Sequence, residues 1–304
     1  ISLTYHFNIK KIMNCTCASK HCKHKPFVNL HCHSSFSALD GAAHISDYIK
    51  LAKEYGHPSL ALTDHGNMSG TFELHEKCKK AGIKPIIGME AYLNDNMDKT
   101  EEKKYEGSDT HQVILVKDKI GFENLSKLTY LSFSEGYYRR GRITTEWLLE
   151  NKKGLIVTTS CLANKLARLL EEGKESEAEE RIKMFKKHDL CPIITNDVHY
   201  AYPEDNRLQD VLIAINQGKI VDQPGTFKLD ARHLYYPSVA DLHDFNKKFG
   251  YNYPEHFVDM AIENTVKVAE KCNFEFETNV EKYPRYEPTK EVVEYFKTED
   301  STEI

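Results

Sequence analysis

Ser59-Leu60-Ala61-Leu62-Thr63-Asp64-His65-Gly66 is a short apolar run that breaks into an acid, an imidazole and a glycine. It is too short for a buried helix and ends in turn-forming residues, so it reads as a buried strand. The same pattern recurs outward from it. Toward the N-terminus, residues 27–30 lead into His31-Cys32-His33. Toward the C-terminus, 85–87 lead to Glu90, 155–158 to Ser160-Cys161, and 192–195 to Asp197-Val198-His199. A further run, 113–116, follows His111 instead of preceding it.

Amphipathic stretches separate these runs. In 45–55, Ile45, Tyr48, Ile49 and Ala52 share one face. Ser69 is placed to cap a helix running to Lys80, with Gly82 as its stop. Residues 121–133 and 145–151 predict further helices, and 162–188 a charged pair broken at Gly173. Strand alternating with helix implies an α/β fold with a parallel sheet, and six such repeats imply a barrel. Barrel chemistry gathers at the C-terminal strand ends, where the βα loops lie. The acids and imidazoles named above obey that rule, His111 excepted.

The 304 residues suffice for one barrel-sized domain or two smaller ones. Apolar content of 40% and charged content of 29% are those of an ordinary soluble domain. A net charge of −5 gives no global attraction to nucleic acid, so any DNA contact needs a local patch. No apolar run approaches the ~20 residues of a membrane span, and no signal peptide is evident, so a cytoplasmic location without membrane contact is expected. The 8 cysteines then read as thiols. Cys78 and Cys272 fall in helical patterns and suit buried packing roles.

Residues 1–26 form an N-terminal arm, opening on Ile1. Residues 1–12 read as vector-derived or upstream sequence, or as native chain. Cys15, Cys17, His21, Cys22 and His24 follow. They suit either a zinc knuckle with unusual spacing or an unstructured thiol-bearing arm. The helical pattern continues in 206–217, 238–249 and 254–271. Residues 282–304 read as an extended linker and the start of a further, cut region, rich in Pro at its head.

His-x-His on a strand puts both imidazoles on one face. Carboxylates bridge neighbouring ions, so a mixed His/Asp/Glu set favours a di- or trinuclear centre of Zn, Mn or Fe. Such centres hydrolyse phosphate esters. His31, His33, His65, Asp197 and His199 are candidate ligands on placement. Asp40 and Glu90 could ligate, cap a helix or end a turn. Asp64 precedes His65 and could instead orient an imidazole from behind. Cys161 is a ligand or a buried thiol.

The segment Asn29-Leu30-His31-Cys32-His33-Ser34-Ser35-Phe36-Ser37-Ala38-Leu39-Asp40-Gly41 resembles the first motif of the PHP (polymerase and histidinol phosphatase) domain. It is similar to the version found in bacterial DNA polymerase III alpha subunits. Leu62 to Met68, Ile86 to Tyr92, Gly154 to Ile156 with Ser160 to Ala163, Thr195 to Tyr200, Asp210 to Leu212 and Gln217 to Lys219 match that subfamily. The resemblance runs from about Phe27 to Arg285. It implies a distorted (β/α)7-like barrel over 27–237, a helical extension over 238–281, and two or three divalent ions. The implied ligands are His31, His33, Asp40, His65, Glu90, His111, Cys161, Asp197 and His199. It also implies a metal-dependent phosphoesterase or 3′–5′ exonuclease that proofreads in DNA replication, acting through a metal-bound hydroxide. DNA, the downstream polymerase domains and other replisome subunits are the implied partners. The family carries a further strand and helix before the Thr195 motif, so this barrel is expected to lack one unit. The polymerase palm would lie beyond Ile304. A catalytically silent structural module and a free-standing small-molecule phosphatase of the histidinol-phosphatase type are the alternatives.

Overall fold

The run beginning at Ser59 forms β1 (Ser59–Leu62), buried at every position. In the computed structural model, which describes residues 26–97, 109–161, 163–185, 192–278 and 288–290, it lies in a mixed sheet flanked by helices. α1 (Ile45–Tyr55) precedes it and ends where Gly56 takes a left-handed φ of 69°. α2 (Thr71–Ala81) follows and ends the same way at Gly82. It begins after Gly70 rather than Ser69, because the Ser69 N–H is taken by the Asn67 side chain in a turn.

β2 (Lys84–Leu93), the spine of the sheet, pairs parallel with β1 along Ser59–Leu62. β3 (Thr110–Val116) pairs with it antiparallel. α3 (Lys119–Ser134), capped by Asp118, leads to β4 (Arg142–Ile143), which joins the end of β2 in parallel. α4 (Thr145–Glu150) starts at a Thr144 cap, and β5 (Leu155–Val157) then runs antiparallel to β3. The expectation of a wholly parallel sheet is therefore corrected at β3. Parallel neighbours need a covering crossover, usually a helix. The sequence shows no amphipathic stretch between β2 and β3, and the chain returns alongside itself.

α5 (Lys165–Glu171) and α6 (Glu175–Phe185) are the two helices expected around Gly173, which adopts a φ of 70°. α7 (Asn206–Asn216), α8 (Val239–Lys248) and α9 (Glu255–Glu270) form the helical tail. Ser238 and Asp241 cap α8 reciprocally.

Two expected strands are absent as strands. Residues 27–30 and 192–195 are extended, but the ladder between their segments shrinks to a bridge between Cys32 and Val198. Side-chain amides replace the ladder. Asn29 accepts from the Asn196 N–H at 2.8 Å and donates to the His31 carbonyl. The Asn264 amide holds the Pro192 carbonyl. The alternation of faces also slips at Leu30 and His31, which a regular strand forbids.

Alternation elsewhere decides what lies where. Ile87, Met89, Ala91 and Leu93 of β2 face one core cluster with Leu125 and Leu128 of α3. Ile86 joins Val28, Leu30, Ala61, Val113 and Leu115 in another, closed by Ala269 and Cys272 at the end of α9. Glu90 has the parity of Ile86, and His111 that of Val113. Period two therefore aims both from the face of this second cluster. α9 is tied there by Thr265, which accepts from the Val28 N–H at 3.1 Å. No described helix is long and apolar enough to cross a membrane.

Candidate metal centre

Parity puts Glu90 and His111 on one face, and strand direction puts them at one end. β3 is antiparallel to β2, so its beginning lies level with the end of β2: His111 stands opposite Tyr92, and Val113 opposite Glu90. This is how an imidazole that precedes its apolar run reaches the same rim as those that follow theirs. His65 arrives from the end of β1 through a bridge to Glu90. His31 and His33 straddle Cys32, held by bonds from the His33 N–H to the Val198 carbonyl and from the Val198 N–H to the His31 carbonyl. That same pairing delivers Asp197 and His199.

Glu90 is fully buried and four histidines surround it. Its Oε1 lies 3.1 Å from His31 Nε2 and 3.4 Å from His111 Nδ1. Its Oε2 lies 3.2 Å from His33 Nε2 and 3.0 Å from His65 Nδ1. Asp197 Oδ1 sits 3.2 Å from His31 Nε2 and 3.3 Å from His33 Nε2. Three overlapping donor groups result, each within 4.8 Å: His31, His33, Glu90 and Asp197; His33, His65 and His199; and His65, Glu90 and His111. Asp40 lies just outside, 3.1 Å from His65 Nε2 and 3.5 Å from His199 Nε2. Cys161 is also marginal, its sulfur 3.7 Å from Glu90 Oε1 and from His111 Nδ1.

Many of these approaches are not hydrogen bonds. Among the described residues, His65 Nδ1, Glu90 Oε2 and Asp197 Oδ1 are buried without a hydrogen-bond partner. The 3.0 Å approach of His65 Nδ1 to Glu90 Oε2 is thus a charge contact without hydrogen-bond alignment. Buried polar atoms left unpaired are costly. Converging nitrogen and carboxylate lone pairs suit a divalent cation, so the residues fit the ions that the donor set implies.

Behind the donors stands a hydroxyl–carboxylate frame. Asp64 is 2% exposed and accepts from the Ser34 N–H at 2.7 Å, the Ser34 hydroxyl, and the Ser37 hydroxyl at 2.8 Å. Ser37 Oγ also meets the His65 N–H at 3.0 Å and His33 Nδ1 at 3.0 Å. The hydroxyl has one proton, and Asp64 takes it. Ser37 must therefore accept from His33 Nδ1–H, which leaves the His33 Nε2 lone pair facing Glu90 and Asp197. On the far side, Ser160 donates to Glu90 Oε1 at 2.5 Å from a left-handed backbone with φ 53°. Gln209 of α7 donates to Asp40 Oδ1 at 3.0 Å.

Electrostatics follow from this crowding. Burial disfavours every charge here, but opposite charges outweigh it at most positions. The histidines hold Glu90 and Asp197 well below the usual carboxylate range. Burial also works against the cation on His31, yet Asp197 and Glu90 raise its pKa. His199 is lifted to about 9 against burial, by Asp197 and Asp40. His65 is raised against burial by the Asp40 and Glu90 carboxylates. His33 goes the other way, lowered by burial and then by the neighbouring His65 and His199. The Cys161 thiol is pushed up by burial and by the Glu90 and Asp197 charges.

All nine expected ligands thus stand in one cluster, seven of them in the tight groups. Asp64 lies behind them. Ser37, Ser160 and Gln209 escaped the sequence reading. Ser37 and Ser160 stand inside the quoted motifs, but a hydroxyl carries no ligand signature of its own. The possible zinc knuckle lies outside the described residues.

The PHP domain family model matches residues 29–191. The chain belongs to the PHP domain family. The match stops short of Asp197 and His199, which the fold nevertheless brings to the centre. Curated relatives include the DNA polymerase III subunit alpha of Borreliella burgdorferi, 34% identical over 81% of this chain and 24% of that protein. The corresponding subunit of Aquifex aeolicus is 34% identical over 90% of the chain and 27% of its own length. This PHP chain therefore spans about a quarter of the relatives it matches. The Aquifex alignment extends over 319 residues, more than the 304 present here, so that relative carries residues this PHP chain lacks. A solved two-domain protein from Bacteroides vulgatus, described as containing a predicted PHP-like metal-dependent phosphoesterase, overlaps 82% of this chain and 68% of its own. Its sequence identity is 14% and its TM-score 0.35, a loose overlap.

Proposed function

We propose that this chain is the N-terminal PHP region of a replicase of the DNA polymerase III alpha type, and that it hydrolyses terminal phosphodiesters at a multinuclear metal centre. The observation that carries the reading is the buried Glu90 at the junction of overlapping donor groups. Family membership and the curated relatives support the replicative setting. DNA, the remaining polymerase domains and other replisome subunits are the partners this reading assigns, in the cytoplasm and away from membranes.

Two or three divalent ions, Zn, Mn or Fe, would polarise a phosphoryl oxygen and acidify a bound water. His31, His33, Glu90 and Asp197 would hold one site, His65, Glu90 and His111 a second. His199 with Asp40 would contribute to a third, and Cys161 would add a thiolate. The chain's own contribution is orientation. Asp64, through Ser37, keeps the His33 Nε2 lone pair facing inward. Ser160 fixes the rotamer of Glu90, and Gln209 fixes that of Asp40.

The test is incubation with Mn and a 3′-labelled single strand. Nucleotide release by the wild type that disappears with His31→Ala plus His33→Ala supports the reading. Release equal in both defeats it. Bound metal without release by either protein favours a structural module, and turnover of small phosphomonoesters alone favours the phosphatase reading.

A further inference from the structure

Beside the centre lies a cleft that the phosphoester reading leaves unused. It opens where the sheet stops, since among the described residues no strand pairing joins β5 to 192–197. It is partly open, and apolar and hydroxyl-bearing side chains make up most of its lining. One end is the metal centre itself, since His31, Cys161 and Asp197 line it. Residues 158–160 and 193–195 form the side walls. Tyr251 and Tyr253 between α8 and α9, with Phe257 at the start of α9, give it an aromatic face. The two tyrosine rings lie 6.4 Å apart at 16°, and Phe257 stands 5.4 Å from Tyr253. Their loop is pinned. The buried Asn246 amide donates to the Tyr253 carbonyl at 2.9 Å and accepts from its N–H at 3.0 Å.

We propose that this cleft receives the nucleobase of a terminal nucleotide whose phosphate is held at the metal centre. The inference rests on the phosphoester reading and adds the substrate's other half to it. The charge distribution argues for it. Among the described lining residues Asp197 is the one carboxylate, it belongs to the metal centre, and there is no lysine or arginine. A second phosphate would find no lysine or arginine among the described lining residues, so the aromatic face suits an uncharged group. Half-buried, pre-positioned rings suit the π-face of a base, and stacking of this kind tolerates every base. The occupant is thus one nucleotide, read by shape and stacking with no base-specific code.

The test compares inorganic phosphate, deoxyribose 5-phosphate and thymidine 5′-monophosphate on the metal-loaded full chain by calorimetry. The nucleotide should bind at least about tenfold tighter than the sugar phosphate, the scale of one stacked base. Tyr253→Leu should erase most of that difference and leave phosphate affinity unchanged. If Tyr253→Leu also loses phosphate binding through misfolding, Tyr251→Leu supplies the same comparison. Equal affinity for nucleotide and sugar phosphate overturns the cleft assignment and leaves the metal centre intact. No binding of any phosphate by the wild type overturns both, and the phosphate arm tells the two failures apart.

Discussion

The two flanks of the metal centre are held in different ways. On the His33 and His65 flank, one buried carboxylate, Asp64, organises two serines that in turn orient an imidazole and a backbone amide. On the other flank His111 joins a tight group, but Cys161 sits at the margin. The sulfur stays 3.7 Å from its neighbours, Ser160 gives its hydroxyl to Glu90, and the Asn164 amide donates to the His111 carbonyl at 2.8 Å. Glu90 belongs to both. The first flank is held by a connected network of buried hydrogen bonds, whereas the second is held by separate single bonds. Affinity should therefore depend on the first flank, and the second should tune which ion is held.

Glu90→Gln is the hardest blow to that contrast, because it removes the charge both flanks share while keeping shape. Metal stoichiometry by elemental analysis should fall to near zero, beyond the roughly 10–100-fold loss typical of outer partners. Retained stoichiometry would show that the flanks load independently.

The pH dependence comes next. The raised pKa values of His31, His65 and His199 mean that ions must displace protons, so affinity rises with pH. With His199 at about 9, apparent affinity at its site should fall about tenfold per pH unit below that value. Metal titrations at several pH values check this, and a flat profile refutes it.

Asp64→Asn and Ser37→Ala should each weaken metal affinity by about 10–100-fold with the fold preserved. Cys161→Ser should cost only a few-fold and change the preference between Zn and Mn, since sulfur favours the softer ion. A larger loss for Cys161→Ser than for Ser37→Ala would invert the comparison of flanks.

Much of this was legible in the chain. β1 and its Asp64-His65 terminus, the helix over 45–55, the stop at Gly82 and the break at Gly173 follow from apolar runs, helical periodicity and glycines. So does the grouping of strand-end acids and imidazoles. The rest is tertiary. Strand direction is not written in an apolar run, so the antiparallel β3 and the place of His111 had to wait for the sheet. Residues 27–30 and 192–195 carry strand composition, but the amides of Asn29 and Asn264 win the backbone groups a ladder would use. Ser37, Ser160 and Gln209 act through single hydrogen bonds, and such bonds leave no periodic trace.

The Asn29–Asn196 bond closes a loop of 167 positions. Val198 clamps the His-x-His pair at that same closure, so no tight donor group around His31 exists until both ends of the region have met. Loops of this length close late and slowly. Ion uptake at the His31 site is then a signal of that closure: His65, Glu90 and His111 can assemble earlier, but the His31 site stays incomplete until residues 192–199 dock. Measured during refolding, metal loading would time that final step.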